Sequence, residues 1–240
     1  MTGRLVGIGV GPGDPDLITV KALKELRNAD VIFVPVTSTG ERGRAEAIVR
    51  AHVESSAISA LPFAMSDDAS LRARSWDEAG ERVAAVVRDG GRAAFATIGD
   101  PNIYSTFAYL AETLRDLAPD VEIEVVPGIT AMQDLAARSG TVLVEGTETL
   151  ALFPFTAGEE RLRQALQVFD TVVCYKGGRH LPVIAASLRA AGRLDGAVYG
   201  ARLGLEDEEI VPLCAVDGME GPYLSAVISP PARDGRGSKL

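Results

Sequence analysis

The chain has 240 residues, enough for one large domain or two of ordinary size. Hydrophobic residues make up 47% and charged residues 24%, which is typical of a soluble globular protein. The net charge of -9 argues against general nucleic-acid binding, although a local basic groove stays compatible with it. No apolar run approaches transmembrane length, and residues 1–4 lead directly into a strand. We therefore expect a cytoplasmic protein with no nucleic-acid or membrane partner.

The cysteines and histidines give no sign of a metal centre. Cys174 and Cys214 lie far apart with no ligand-like spacing, so free thiols are expected rather than a disulfide or a metal site. The only histidines are His52 and His180, too few for a histidine-rich site. The sequence therefore predicts no metal.

Apolar runs alternate with helical periodicity through the first half of the chain. Strands are predicted at 5–10, 31–35 and 92–98, with a short apolar piece at 61–63. Helices are predicted at 17–30, 41–54 and 70–89, and in the segment that follows residue 103. This alternation predicts an α/β domain with a mainly parallel sheet and right-handed crossovers.

Pro119-Asp120 is the predicted domain boundary. It separates an N-terminal α/β domain with glycine-rich turns, 1–119, from a C-terminal α/β domain, 120–240. In the second domain, strands are predicted at 121–126, 149–153, 171–175, 197–201, 210–213 and 223–228, and helices at 131–139, 159–168 and 181–191. The short turns near its end indicate a mixed sheet, and residues from Ser229 onward resemble a loose tail.

The turn Gly99-Asp100-Pro101 lies between the buried strand 92–98 and the next helix. Ligands of open parallel sheets bind at the carboxyl ends of strands. There Gly99 allows a ligand to approach the backbone, and Asp100 presents a carboxylate beside it. Asp100 or Ser105 is also expected to cap the helix. Taken alone, the tripeptide favours a simple capped turn over a binding site.

Two further glycine-rich turns follow predicted strands. Gly7, Gly9, Gly11 and Gly13 do not match the dinucleotide-binding fingerprint, because Pro12 or Asp14 stands where the last glycine is needed. A simple turn and a backbone-lined cleft both stay open for this segment. The third turn, 127–130, ends at Thr130, which alternatively caps the following helix. If the three turns converge, their backbone groups can hold a small ligand.

Four segments of the chain resemble motifs of the tetrapyrrole methylases. They are 6–19, 99–110, 126–130 and 145–154, and the resemblance covers nearly all of 4–228. The second segment, with its Tyr-Ser-Thr-Phe run, is similar to the form found in the family's carbon-20 methylases. The chain departs from the family at Cys174-Tyr175-Lys176, where relatives often carry a methionine near the adenine.

The resemblance implies two α/β domains with a trough between them, S-adenosylmethionine bound in that trough, and a homodimer. It implies transfer of a methyl group to carbon 20, a bridging carbon of precorrin-2 or its cobalt-bearing counterpart, cobalt-factor II, on the way to cobalamin. The cofactor-binding residues it implies are Pro12, Gly99, Asp100, Ile103, Tyr104, Ser105, Thr130, Ala131, Tyr175 and Lys176.

Methylated carbon 20 still carries a proton that must leave. Asp100 and Tyr104 are the candidate catalytic residues that accept or relay it. Capping or cofactor contact by Asp100, and packing by Tyr104, are the alternatives.

The many carboxylates of such a substrate require cationic side chains. Lys176 and Arg179, which flank two glycines after a strand, are the best-placed pair, with Arg44 and Arg202 as further candidates. Each of these arginines is alternatively a solvated surface residue.

Three other functions stay open from the sequence. They are methylation at a different ring position, the related diphthine synthase reaction on a protein, and non-catalytic binding of a small molecule.

Overall fold

The computed structural model describes residues 3–36, 43–64, 68–216, 218–233 and 235. The chain forms two compact units, Met1–Thr130 and Ala131–Leu240. Each unit contains one five-stranded sheet. Within the described residues, no helix combines the length and apolar character needed to cross a membrane.

The first unit contains an entirely parallel sheet. Its strands are β1 Arg4–Gly9, β2 Val31–Val36, β3 Ile58–Pro62, β4 Arg92–Thr97 and β5 Glu122–Val126, in the order β3-β2-β4-β1-β5. Its helices are α1 Val20–Asn28, α2 Arg44–Arg50, α3 Ala69–Arg88 and α4 Phe107–Leu117. The predicted parallel sheet is confirmed, and the apolar piece at 61–63 overlaps the end of β3, which stops at Pro62.

Both faces of this sheet are covered, which explains why its central strands are continuously apolar. Leu5 of β1 and Phe95 of β4 belong to a core cluster with residues of α3 and α4. Their neighbours Val6 and Ala94 belong to a second cluster with residues of α1 and α2. Successive side chains therefore alternate between two apolar layers, as the geometry of a strand requires.

The helices of the first unit differ in part from the predicted bounds: α3 is shifted by one residue from 70–89, and α4 begins at Phe107 and not at Ile103. Residues Pro15–Leu17 form a separate short 3-10 turn, and α1 begins at Val20 because the Thr19 hydroxyl accepts a hydrogen bond from Ala22 N at 3.1 Å. The predicted helix 41–54 starts outside the described residues, and α2 ends at Arg50.

The second unit contains a mixed sheet, as predicted. Its strands are β6 Leu150–Pro154, β7 Thr171–Tyr175, β8 Val198–Ala201, β9 Glu209–Pro212 and β10 Ser225–Ser229, in the order β6-β7-β10-β8-β9. Only the β6–β7 pair is parallel; the other neighbours are antiparallel. Its helices are α5 Ala131–Ser139, α6 Glu159–Val168 and α7 Leu181–Ala190.

The strand β5 belongs to the first unit. It pairs in parallel with β1, from Arg4 opposite Glu122 to Ile8 opposite Val126. The predicted boundary at Pro119-Asp120 therefore falls before the last strand of the first sheet, and the structure divides the chain after Thr130. The local pattern identified the strand but carried no information on which sheet it joins.

The segment that resembled a loose tail is anchored as far as Arg233. Ser229 is the buried last residue of β10. Arg233 donates through Nη2 to Glu148 Oε2 at 2.5 Å, and both of its terminal nitrogens donate to Val142 O at 3.2 Å. The prediction of a loose tail is therefore wrong for residues 229–233, while 234 and 236–240 lie outside the described residues.

Candidate functional site

The three glycine-rich turns of the first unit converge through their backbones. Gly99 N donates to Gly11 O at 2.8 Å. A Cβ atom added to Gly9 would lie 2.6 Å from Gly128 N and would overlap Gly99 O. A Cβ added to Gly128 would lie 2.7 Å from Gly9 Cα. The predicted convergence is confirmed, because the backbones pack so closely that neither Gly9 nor Gly128 has room for a side chain.

Open space lies beside Gly99. This residue has a φ of 68°, in the left-handed region that favours glycine. Among the described residues, an added Cβ would meet only Thr130 Cα, at 3.9 Å. The carboxyl end of β4 therefore presents backbone polar groups to a space that can take ligand atoms.

The Asp100 carboxylate joins two of the turns. Its Oδ1 accepts from Asn102 N at 2.8 Å, and its Oδ2 accepts from Gly128 N at 3.0 Å. Of the two predicted capping residues, Asp100 makes no contact with the first turn of α4. Instead, Ser105 Oγ accepts from Phe107 N, the first residue of α4, at 3.1 Å. Asp100 therefore fixes the position of the Gly128 turn relative to Gly99.

Tyr104 lies in a strained part of the same turn. Its φ is 51°, which is unfavourable for a residue with a side chain, and it is 44% exposed. The next residue, Ser105, donates from Oγ to Thr97 Oγ1 at 3.0 Å. Thr97 is buried at the end of β4, and the sequence analysis missed it because nothing in the local pattern links it to Ser105.

The other predicted cofactor residues of the first unit lie close to these turns in the chain. Pro12 and Thr130 are buried and Ile103 is half-buried. Ala131 is the half-buried first residue of α5, and it belongs to the second unit.

Tyr175 ends β7 in the second unit. Its hydroxyl accepts a hydrogen bond from Met132 N, in the first turn of α5, at 2.7 Å. The preceding Cys174 is buried, and this burial raises the pKa of its thiol to about 12. Cys174 is therefore a neutral packing residue at neutral pH, and Tyr175 and Lys176 carry the polar groups of this strand end.

The turn after β7 is held by a second loop. Gly178 O accepts from Gly221 N at 2.7 Å, and a Cβ added to Gly178 would lie 2.6 Å from the Pro222 carbonyl carbon. Arg179 is exposed and makes no hydrogen bond or ion pair with any residue that the structure describes. Its guanidinium is thus available to an anion.

The four predicted substrate-binding cations lie in three places. Lys176 and Arg179 share the turn after β7. Arg202 follows β8, and its Nε lies 2.9 Å from Asp207 Oδ2, so it is already engaged in an ion pair. Arg44 is the first residue of α2, in the first unit.

Backbone strain coincides with the predicted site. The non-glycine residues of the described chain with positive φ are Tyr104, Lys176 and Arg202, at 51°, 60° and 51°. All three were selected from the sequence. Strained backbone concentrates at functional sites, because surrounding structure must hold it in place.

Metal coordination has no visible basis in the described part of the chain, where no three His, Cys, Asp or Glu side chains are grouped as ligands.

The chain thus combines two α/β units with converging glycine turns at the strand ends of the first. Residues 4–215 match the model of the tetrapyrrole (corrin/porphyrin) methylases, and the chain belongs to this family. The resemblance stated from the motifs is thereby confirmed.

Curated relatives agree with this assignment. The chain is 35% identical over 242 residues to a precorrin-2 C(20)-methyltransferase from Sinorhizobium sp., with 97% of each chain covered. It is 33% identical over 210 residues to a cobalt-precorrin-2 C(20)-methyltransferase from Salmonella typhimurium, with 87% of each covered.

Solved structures show the same fold. A putative cobalamin synthesis related protein from Corynebacterium diphtheriae matches with a TM-score of 0.72 at 20% identity, covering 95% of this chain and 98% of that chain. A uroporphyrin-III C-methyltransferase from Thermus thermophilus, complexed with S-adenyl homocysteine, matches with a TM-score of 0.65 at 23% identity, covering 94% and 96%.

Proposed function

We propose that this protein transfers a methyl group from S-adenosylmethionine to carbon 20 of precorrin-2, or of cobalt-factor II, in cobalamin biosynthesis. The observation that carries the proposal is the 35% identity to a precorrin-2 C(20)-methyltransferase over 97% of both chains. The Tyr104-Ser105-Thr106-Phe107 run, typical of carbon-20 methylases, supports the same ring position.

The proposed cofactor site starts from the open space beside Gly99. Backbone groups of the converging turns can hold the polar parts of the cofactor there. The residues proposed to contact the cofactor are Pro12, Gly99, Asp100, Ile103, Tyr104, Ser105, Thr130, Ala131, Tyr175 and Lys176. The fit is supported by Gly99, where a side chain would occupy the space that a ligand needs.

When bound, S-adenosylmethionine supplies a methyl group on a sulfonium that is already a good leaving group, so the proposal includes no metal. The protein must hold the nucleophilic carbon in line with this methyl group, and positioning of this kind contributes about 7–11 kcal/mol in favourable cases. Rigid glycine turns suit that task, since their backbones pack without intervening side chains.

A base must take the proton that carbon 20 loses. Asp100 and Tyr104 are the proposed catalytic residues. Both oxygens of Asp100 already accept from backbone amides, which favours a role in positioning the Gly128 turn. The exposed Tyr104, held at the strand end in a strained conformation, is the better-placed proton acceptor or relay.

The substrate carboxylates are proposed to bind the cations at the end of β7. Arg179 is the strongest candidate, because it is exposed and unpaired within the described chain. Lys176 adjoins it, and Arg44 and Arg202 are further proposed contacts. Arg202 must exchange or share its ion pair with Asp207 to take part.

We further propose a cytoplasmic homodimer. The dimer rests on the resemblance to the family. The location is supported by Cys174 and Cys214, which are both free thiols, as expected in a reducing compartment.

The decisive experiment is mass spectrometry of products formed with a methyl-labelled donor. Precorrin-2 and cobalt-factor II are supplied separately, and the labelled carbon is located by NMR. We expect one labelled methyl group at carbon 20 with at least one of the two substrates. Label at another ring carbon would assign a different methylase activity, and no label with either substrate would reject the proposal.

A further inference from the structure

Four large apolar side chains are exposed in two loops of the second unit. They form what we call the apolar rim: Leu205 at 39% exposed, Met219 at 57%, Tyr223 at 55% and Leu224 at 42%. Exposed single hydrophobic residues are ordinary, but a group of them beside polar residues marks a binding surface.

Backbone hydrogen bonds bring the two loops together. Arg202 N donates to Leu224 O at 3.2 Å, and Leu205 N donates to Arg202 O at 3.0 Å. The loop that carries Met219 and Tyr223 is joined to the turn after β7 by the bond from Gly221 N to Gly178 O. The apolar rim therefore adjoins the turn that carries the exposed Arg179.

The shape of this loop is fixed from both sides. A Cβ on Gly178 would lie 2.6 Å from the Pro222 carbonyl carbon, and a Cβ on Gly221 would overlap the hydroxyl of the buried Tyr199. Tyr223, next to Pro222, is thus presented to solvent by a backbone with little room to move. Preorganised aromatic side chains contribute binding energy at a low entropic cost.

We propose that the apolar rim is the surface on which the tetrapyrrole macrocycle lies, with Tyr223 as a specificity-determining residue and Arg179 paired to a peripheral carboxylate. This inference rests on the proposed function and adds residues that the motifs did not indicate. The exposed apolar side chains and the neighbouring Arg179 favour this occupant. A macrocycle offers a broad apolar face rimmed by carboxylates, which matches apolar side chains beside an exposed guanidinium.

The neutral phenol of Tyr223 suits this position. A phenol is neutral at pH 7, and partial burial raises the pKa of Tyr223 further, so its hydroxyl adds no negative charge near the carboxylates.

The test compares Tyr223→Ala and Tyr223→Phe with the parent. Tyr109→Ala is the matched control, because Tyr109 is 46% exposed and lies in the first unit. Binding is followed by absorbance titration with sirohydrochlorin, a metal-free tetrapyrrole carboxylate that needs no turnover. Kinetics use precorrin-2, and calorimetry measures affinity for S-adenosylhomocysteine.

We expect Tyr223→Ala to raise the tetrapyrrole Kd and KM about tenfold, or about 1.4 kcal/mol, with kcat and the affinity for S-adenosylhomocysteine unchanged. Tyr223→Phe should bind like the parent, since it keeps the ring, and so should Tyr109→Ala.

Unchanged sirohydrochlorin affinity in Tyr223→Ala, or no affinity in the parent, would overturn the inference. If light scattering shows that Tyr223→Ala is a monomer while the parent is a dimer, and tetrapyrrole binding is unaltered, the apolar rim contacts a second copy of the chain and the inference is overturned. If Tyr223→Ala binds sirohydrochlorin more weakly than the parent but the parent methylates no substrate, the apolar rim is a tetrapyrrole-binding surface and the proposed function is rejected.

Discussion

The contact between Gly9 and Gly128 gives the sharpest test of the converging turns. In Gly128→Ala, the new Cβ would lie 2.7 Å from Gly9 Cα, whereas ordinary contact begins at 3.4 Å. Restoring ordinary contact requires the two atoms to separate by a further 3.4 - 2.7 = 0.7 Å. The same Cβ would also overlap Gly99 O, so the turn at the end of β4 must move as well.

The expected loss follows from this displacement. A misplacement of 1 Å costs up to about 10²-fold in rate, so we expect kcat/KM to fall about 10- to 100-fold. Overpacking costs typically about 1–3 kcal/mol of a usual stability of about 5–15 kcal/mol, so a thermal melt checks that the variant is folded before its activity is compared. Affinity for S-adenosylhomocysteine should fall as well, because the same backbone borders the proposed cofactor site.

The assay pairs calorimetric titration of S-adenosylhomocysteine with steady-state kinetics and a thermal melt. Gly9→Ala should reproduce the loss from the opposite side of the contact, since its Cβ would lie 2.6 Å from Gly128 N. Gly196→Ala is the matched control, because no described atom lies within 4 Å of its added Cβ. If Gly128→Ala and Gly9→Ala bind and turn over like the parent, the turns do not shape the site and the reasoning fails.

Three further substitutions test the roles of Asp100, Tyr104 and Arg233. In Asp100→Asn, the side chain can accept only one of the two amide hydrogen bonds, so we expect about tenfold weaker binding of S-adenosylhomocysteine. Tyr104→Phe should lower kcat and leave the affinity for S-adenosylhomocysteine unchanged. If calorimetry and kinetics instead show a loss of kcat for Asp100→Asn and a loss of affinity for Tyr104→Phe, Asp100 is the proton acceptor and Tyr104 the cofactor contact. The hydrogen bond from Arg233 holds the pKa of Glu148 below its ordinary value of 4.5, so this stabilisation is complete above pH 4.5 and is lost as the pH falls through the lowered pKa. Arg233→Met should therefore melt at a lower temperature than the parent at pH 7, with the gap narrowing below pH 4.5, and a gap independent of pH would contradict the ion pair.

Local patterns were enough to locate most elements of this chain. The helix Ala131–Ser139 and the strand Thr171–Tyr175 have the bounds that periodicity predicted, because burial of one helix face or of a whole strand is written into the spacing of apolar residues. The glycine turns were also visible, since the positive φ at Gly11 and Gly99 strongly favours glycine.

Contacts between distant parts of the chain were decided only in the tertiary structure. Asp100 accepts from an amide 28 residues away rather than capping the next helix. Arg193, which the sequence analysis did not select, donates through Nη1 to Leu166 O and Phe169 O and through Nη2 to Ser229 O. Partial burial lowers the pKa of Arg193. The carbonyl oxygens accept from both terminal nitrogens of its guanidinium, as buried polar groups require.

Local features could be predicted from the sequence and long-range contacts could not, for a physical reason. The sequence by itself determined the α/β class, the glycine-rich strand ends and the family motifs, because each depends on residues within one turn or one strand. It could not place β5 beside β1 or attach Arg233 to Glu148, because hydrogen-bond partners across a sheet or between loops leave no period in the sequence. Those pairings depend on which chain segments the complete fold brings together.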